Sequence, residues 1–209
     1  MKKWVFLGVI ISLFFMSSCT SSWEGKEYSF GDGFADLAEL DVKYATSFHE
    51  EKLNSSMVAL DNVEPFIADL KEFRENVRKT NDSPDKSALI DFVAIRITMV
   101  LAQKNFQLAQ NIGNIGLTSD EFGFKCSDAP YILEVSNFYN KSFVYTQKAR
   151  NDLDTVLYKY RKVPELQNLV GLGTNKTKFY YFHLGNIKNI LKSNERALTE
   201  ICKIRVVKN

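Results

Sequence analysis

Proline and glycine are scarce in this chain of 209 residues, which contains four prolines and ten glycines. Disordered chains and folds built from many short strands and turns are usually rich in these residues, so their scarcity argues against both classes. Hydrophobic residues make up 45% of the chain and aromatic residues 13%, which is enough to form a buried core. The length fits one domain of ordinary size.

Histidine is rarer still, because His49 and His183 are the only two in the chain. A carboxylate-bridged di-iron bundle needs Glu-x-x-His pairs, and the sequence contains none. It also lacks the CxxCH motif of haem attachment, the GxGxxG of dinucleotide binding and the GxSxG elbow of serine hydrolases. We therefore expect no metal, no cofactor and no enzymatic activity.

A hydrophobic run long enough to cross a membrane is also missing from the N-terminus. After two lysines, residues 4–16 are almost wholly apolar, but a membrane-spanning helix needs roughly 20 such residues. A basic start, a short apolar run and small residues at its end together form a secretory signal. Two serines then lead directly to Cys19.

The stretch FFMSSC, residues 14–19, resembles the lipobox of bacterial lipoproteins. Met16 stands where that family usually has leucine. The resemblance covers residues 1–19 only and implies that residues 1–18 are a signal peptide. It also implies that the thiol of Cys19 is acylated and anchors the mature chain to a membrane. The alternative is an ordinary signal peptide cut at the same place, which leaves no anchor.

The resemblance also implies a location. The family's sorting logic treats Asp after the cysteine as a signal for retention in the inner membrane, and this chain has Thr20. We therefore expect an outer-membrane lipoprotein facing the periplasm. Residues 19–33 are predicted to be the lipidated cysteine and a flexible tether, and residues 34–209 a single helical domain.

Apolar residues recur at helical spacing in four long segments, without strand-like alternation. The pattern predicts an all-α fold, an antiparallel up-down four-helix bundle. Pro65 removes a backbone donor, so the first helix is expected to be bent or split near Asn62. The predicted helix caps are Asp32, Ser83, Asp128 or Ala129, and Thr174 or Asn175.

The fourth predicted helix has a heptad seam. Its members are Tyr180, Leu184, Ile187, Leu191, Asn194, Leu198 and Ile201. A polar residue in such a seam often fixes the register of packing. We keep ligand binding as the alternative role of Asn194.

Cys126 precedes the third predicted helix, and Cys202 lies at the end of the fourth. A four-helix up-down topology places both at one end of the bundle, and export favours oxidation, so we predict a disulfide. Two buried thiols are the alternative. The same topology puts the membrane anchor at this end and the Asn81 loop at the opposite end.

Two charges, Asp91 and Arg96, lie in the otherwise apolar second helix. Because an unpaired buried charge is very costly, each needs a partner if it is buried. One interpretation is that one residue faces solvent and the other pairs with a neighbouring helix. The functional alternative is a ligand-binding or buried polar site that includes Asp91, Arg96 and Asn194.

Charge is segregated along the chain: residues 19–140 carry 11 basic and 20 acidic groups, whereas residues 141–209 carry 14 and 5. Either an acidic helix and a basic helix neutralise each other, or a basic face serves an anionic partner or lipid. The candidate face contains Lys188, Lys192, Arg196 and Lys203.

Taken together, these features predict a non-enzymatic interaction or accessory module that binds another envelope protein. The alternative is a periplasmic binding module with a small or lipidic ligand in the bundle interior. KTKFYYFH, residues 176–183, mixes basic and aromatic side chains as some nucleic-acid binders do. We interpret its aromatic residues as core and expect no nucleic-acid partner.

Overall fold

The computed structural model describes residues 23–44, 58–116, 126–166 and 174–204. Its α-helices are α1 (Phe30–Tyr44), α2 (Val63–Arg78), α3 (Pro84–Gly116), α4 (Ala129–Lys159) and α5 (Thr174–Arg196). Short 3-10 turns, Leu60–Asn62 and Cys126–Asp128, precede α2 and α4, and a π-helical turn, Ala197–Ile201, follows α5. These ranges contain no β-strand, so the all-α prediction is confirmed for the part described.

Local sequence explains where two of these helices begin. Ser83 caps α3, because its Oγ accepts a hydrogen bond from the Lys86 backbone N–H at 3.0 Å and Pro84 follows as the first helical residue. The predicted cap of α1 was wrong. Ser29 takes that role, since its Oγ accepts from the Asp32 backbone N–H at 3.0 Å, and α1 begins at Phe30.

The first predicted helix is divided into α1 and α2, which run in opposite directions. The ring of Tyr44, the last residue of α1, lies 5.1 Å from that of Phe66 in the first turn of α2. Before α1, the Lys26 carbonyl accepts a hydrogen bond from the Asn81 backbone N–H, which lies beyond the end of α2. The chain therefore reverses between α1 and α2. Pro65 lies in the first turn of α2, where backbone N–H groups have no acceptor within the helix. Proline at this position therefore removes no helical hydrogen bond.

Helix α3 runs parallel to α1 and antiparallel to α4. Near the start of both α1 and α3, the Phe30 backbone N–H donates to Asp85 Oδ2 at 3.0 Å. At the end of α4, the Tyr160 hydroxyl donates to Asp91, in the third turn of α3. Helix α5 packs mainly on α4. The described residues thus contain these five α-helices and a further helical stretch at residues 164–166, and the four-helix bundle is not confirmed.

The two ends of α3 define two ends of the molecule. Its 33 residues span about 50 Å at the usual helical rise. The loop end comprises residues 23–29, 79–83 and 160–166, and the disulfide end comprises residues 126–128 and 197–204.

The predicted position of the start of the first helix was wrong. The first described residue, Trp23, packs on Phe73 and Tyr28, and the Asn81 side chain donates to the Gly25 carbonyl at 3.0 Å. The start of the domain therefore lies beside the Asn81 loop, far from the disulfide. The extra reversal between α1 and α2 is the physical reason. These contacts also show that residues 23–33, which were predicted to be tether, belong to the folded domain.

Most of the core lies between α1, α2, α3 and the second half of α4. Gly33 allows α1 to approach α3 closely, because a Cβ at this position would lie 2.0 Å from Leu89 Cδ2. A second apolar cluster joins α3, α4 and α5 around Tyr139 and Ile187. A third, around Ile132 and Leu198, lies next to the disulfide.

Candidate functional site

The most deeply buried charges belong to Asp41 on α1 and Arg96 on α3. Their side chains are 1% and 4% exposed. Arg96 Nε donates to Asp41 Oδ1 at 2.9 Å and to Oδ2 at 3.2 Å, and Arg96 Nη2 donates to Oδ1 at 2.6 Å. This forked geometry suits a planar guanidinium and a carboxylate. The pair therefore agrees with the interpretation that one charge of the apolar helix, here Arg96, pairs with a residue on a neighbouring helix.

One donor of this pair is not matched. Arg96 Nη1 is buried and has no hydrogen-bond partner among the described residues. The guanidinium carbon lies 5.5 Å from the centre of the Phe66 ring, a distance at which a cation is attracted to an aromatic face. Burial raises the pKa of the Asp41 carboxyl, and the adjacent Arg96 lowers it by less. The structure thus has a buried charge pair with one unused donor.

Asp91 lies elsewhere, between α3 and α4. Its Oδ2 accepts hydrogen bonds from Lys159 Nζ at 3.0 Å and from the Tyr160 hydroxyl at 2.8 Å. The Lys159 side chain is 58% exposed, so this is a surface ion pair. Burial raises the pKa of the Tyr160 hydroxyl, the hydrogen bond to Asp91 adds to the rise, and the hydrogen bond with Lys159 partly opposes it.

Asn194 lies in a third place, at the contact between α5 and α4. Its Nδ2 donates to Ser136 Oγ at 3.0 Å. Within the predicted seam, Ile187 and Leu198 are buried, and Asn194 is half-buried. A specific hydrogen bond beside apolar seam residues fits a role in fixing the register of α5 on α4.

Asp91, Arg96 and Asn194 therefore do not form one site. Sequence reasoning missed Asp41, the partner of Arg96. Its signal was present: Asp41 occupies the position four residues after Leu37 and three before Tyr44, on the apolar stripe of the first helix. A carboxylate at a core position requires a partner, and Arg96 is the buried cation opposite.

The candidate basic face lies on α5. Lys188, Lys192 and Arg196 are exposed and follow one another at four-residue spacing, which places them on one side of the helix. Arg196 pairs with Glu200 at 2.7 Å. Lys188 and Lys192 form no ion pair within the described ranges. We call these two lysines and Arg196 the basic stripe.

Lys203 lies just beyond the stripe, at the disulfide end. Its φ is +57°, and the Ile204 N–H donates to the Leu198 carbonyl, which closes the helix as glycine commonly does. Cys202 and Cys126 are joined by a disulfide with a Cα–Cα distance of 5.4 Å. This is the pairing predicted from sequence, and it fixes the end of α5 to the start of α4.

Ion pairs between the acidic and basic parts of the chain are few among the described residues. The Lys159–Asp91 ion pair joins residues 141–209 to residues 19–140. The other interhelical pairs connect α1, α2 and α3 with one another: they are Lys43–Asp69, Arg96–Asp41 and Lys104–Glu64.

The described part of the chain holds neither a candidate metal site nor a candidate membrane span. No group of three or more His, Cys, Asp or Glu side chains is placed to hold a metal ion. No helix within these ranges is long and apolar enough to cross a bilayer. Cys19, residues 1–18 and His49 lie outside the described residues, as do the first residues of the predicted tether.

Comparison with known proteins gave no relative. No family model, no curated protein and no solved structure matches the chain.

Proposed function

We propose that this protein is a lipid-anchored module of the bacterial cell envelope that binds an acidic protein partner and has no enzymatic activity. Acyl chains on Cys19 hold it to the outer membrane, with the domain in the periplasm. The basic stripe is the binding surface. The observation that carries the proposal is the exposure of Lys188 and Lys192 without acidic partners in the described structure.

Like charges at four-residue spacing on one helix repel one another. Such a row therefore costs some stability unless an opposite charge lies nearby. A surface of one charge sign also steers oppositely charged partners during association. An acidic surface on another envelope protein supplies the missing complement.

The arrangement of helices supports this use of α5. We infer that the whole domain is an antiparallel up-down bundle in which α1 and α2 are the two parts of the predicted first helix. Helix α5 then lies at its edge, since its main contacts are with α4. The outward side of an edge helix is open to a partner. The disulfide and the Asn194–Ser136 hydrogen bond hold this helix in register.

The test is cross-linking in cells followed by purification under denaturing conditions and mass spectrometry. The double variant Lys188→Glu/Lys192→Glu should lose the cross-linked partner that the unchanged protein retains. Its matched control is Lys71→Glu/Lys141→Glu, which makes the same change of charge at two exposed lysines on α2 and α4. The control should keep the partner.

The possible outcomes separate clearly. A partner that carries an acidic surface, is lost only from the stripe variant and dissociates in high salt supports the proposal, because salt screens exposed charges. A partner retained by both variants places the interface elsewhere and contradicts it. A bait without a partner under all conditions also contradicts it.

A second candidate function is supported by Arg96. Its buried Nη1 has no partner in the described residues, and a small or lipidic ligand with an acceptor oxygen could supply one between α1, α2 and α3. Such a ligand should raise the melting temperature of the protein, and Arg96→Leu should abolish that rise. Native mass spectrometry of protein extracted gently from membranes is the direct check.

A further inference from the structure

We infer that the loop end of this domain lies against the lipid headgroups, with Trp23 and Tyr158 at headgroup level, and that the disulfide end points away from the bilayer. The inference rests on the proposed anchor at Cys19. It adds a lipid-facing surface and an orientation to the proposed function. It also reverses the orientation expected from sequence alone.

The chain between Cys19 and the described domain is short. Only three residues separate Cys19 from Trp23, so even a fully extended chain between them spans no more than about 14 Å. The disulfide end lies the length of α3 away, about 50 Å. An anchor on Cys19 therefore holds the loop end near the membrane surface.

The residues after Trp23 are held in the domain by contacts. They could lengthen the link to Cys19 only if those contacts broke. The Trp23 ring packs edge-on against Tyr28 at 5.2 Å and against Phe73 at 6.4 Å. Asn81 then holds the next residues, since its backbone N–H and side-chain amide donate to the carbonyls of Lys26 and Gly25. The link from Cys19 to the folded domain therefore stays short, whether its residues are compact or fully extended.

The loop end and the adjoining last turn of α4 carry aromatic side chains next to basic ones. Lys26 Nζ lies 5.3 Å from the centre of the Trp23 ring, and the Arg161 guanidinium lies 5.6 Å from that of Tyr158. Tyr158 is 76% exposed, the highest value among the exposed large hydrophobic residues of the described chain. Tryptophan and tyrosine favour the membrane interface, and long basic side chains beside them can reach the headgroups.

Net charge does not supply the attraction. The loop end, residues 23–29, 79–83 and 160–166, carries four basic and four acidic residues. They are Lys26, Lys79, Arg161 and Lys162, and Glu24, Glu27, Asp82 and Glu165. The acyl chains therefore provide the main binding energy, and the aromatic residues orient the domain. Binding to zwitterionic vesicles should accordingly persist in high salt.

The experiment uses the complete lipidated protein in phosphatidylcholine vesicles that contain brominated acyl chains, which quench nearby tryptophan fluorescence. The chain has two tryptophans, Trp4 and Trp23, and Trp4 belongs to the predicted signal peptide. In a Trp23→Phe background, one variant carries Tyr158→Trp in the last turn of α4, next to the loop end, and its matched control carries Tyr131→Trp near the disulfide end. Both positions are exposed, so neither change disturbs the core.

We expect brominated lipid to reduce the emission of the Tyr158→Trp protein and to leave that of the Tyr131→Trp protein unchanged. Equal or stronger quenching of the Tyr131→Trp protein would overturn the inference, as would an absence of quenching in both. Circular dichroism before reconstitution shows whether each variant is folded.

Flotation with vesicles tests the proposed anchor separately from the orientation. If the protein with an intact Cys19 does not float with vesicles, the anchor itself is contradicted, and the orientation with it. If it floats but the quenching pattern is reversed or absent, the anchor stands and only the orientation fails.

Discussion

Asp41 Oδ1 on α1 accepts hydrogen bonds from both Nε and Nη2 of Arg96 on α3, at 2.9 and 2.6 Å. This pair joins two helices that run parallel and are separated in sequence by the whole of α2. Taking two charges out of water is costly, so the pair is better suited to specifying how α1 packs on α3 than to stabilising the fold.

This view predicts opposite results for single and double substitutions. Asp41→Leu and Arg96→Met should each lower the free energy of unfolding by about 3–5 kcal/mol, because each leaves an uncompensated buried charge. The double variant Asp41→Leu/Arg96→Met should be as stable as the natural protein or more so. Urea denaturation of the three variants is the check. A double variant that is less stable than both single variants would show that the pair itself is strongly stabilising.

Gly33 provides a test of the packing between α1 and α3. A Cβ there would lie 2.0 Å from Leu89 Cδ2, within a core where Leu89 is fully buried. Gly33→Ala should therefore lower stability by about 1–3 kcal/mol, the usual range for an overpacked core.

The matched control for Gly33 is Gly31→Ala in the same helix. The nearest atom to a Cβ at Gly31 is Glu165 Cγ at 3.6 Å, an ordinary contact. Because alanine favours helix over glycine by up to about 1 kcal/mol, this variant should be neutral or slightly stabilised in thermal melts. Equal losses at both positions would contradict the close approach described here.

Lys203 carries a left-handed backbone conformation, with φ of +57°. For residues other than glycine this conformation costs about 1–2 kcal/mol. Lys203→Gly should therefore raise the melting temperature, whereas Lys203→Ala removes the same side chain and should not. A gain in both variants would assign the effect to lost charge rather than to the backbone.

The Cys126–Cys202 disulfide closes a loop with a sequence separation of 76. Replacing both cysteines by alanine should lower the free energy of unfolding by about 4 kcal/mol, since the unfolded chain gains freedom. Cys19→Ala should leave the unfolding of the detergent-solubilised domain unchanged, because Cys19 lies outside the loop that the disulfide closes. If reduction has no effect on unfolding, the cross-link is not formed in solution.

Several features could be predicted from local sequence. Ser83 followed by Pro84 marked the start of α3, and the spacing of apolar residues predicted helices without strands. These features depend on neighbours within one or two turns, so the sequence shows them directly. Cys126 and Cys202 could be paired because both fall at predicted helix ends and an exported protein favours their oxidation.

Long-range relationships were harder to predict. The apolar residues on both sides of Asn62 share one spacing, so their pattern does not distinguish a bent helix from two helices that reverse direction. That reversal moves the start of the domain from the disulfide end to the Asn81 loop. The pairing of Asp41 with Arg96 depends on the same reversal, because it brings α1 alongside α3 rather than continuing away from it.

The proposed function and orientation both depend on the anchor at Cys19. The most direct measurement is mass spectrometry of the N-terminal peptide of the full-length protein, expressed in a bacterium and extracted from its membranes. The proposal predicts a chain that begins at Cys19 and bears the mass of acyl chains on that residue. An unmodified Cys19, or a chain that begins at another residue, would contradict it.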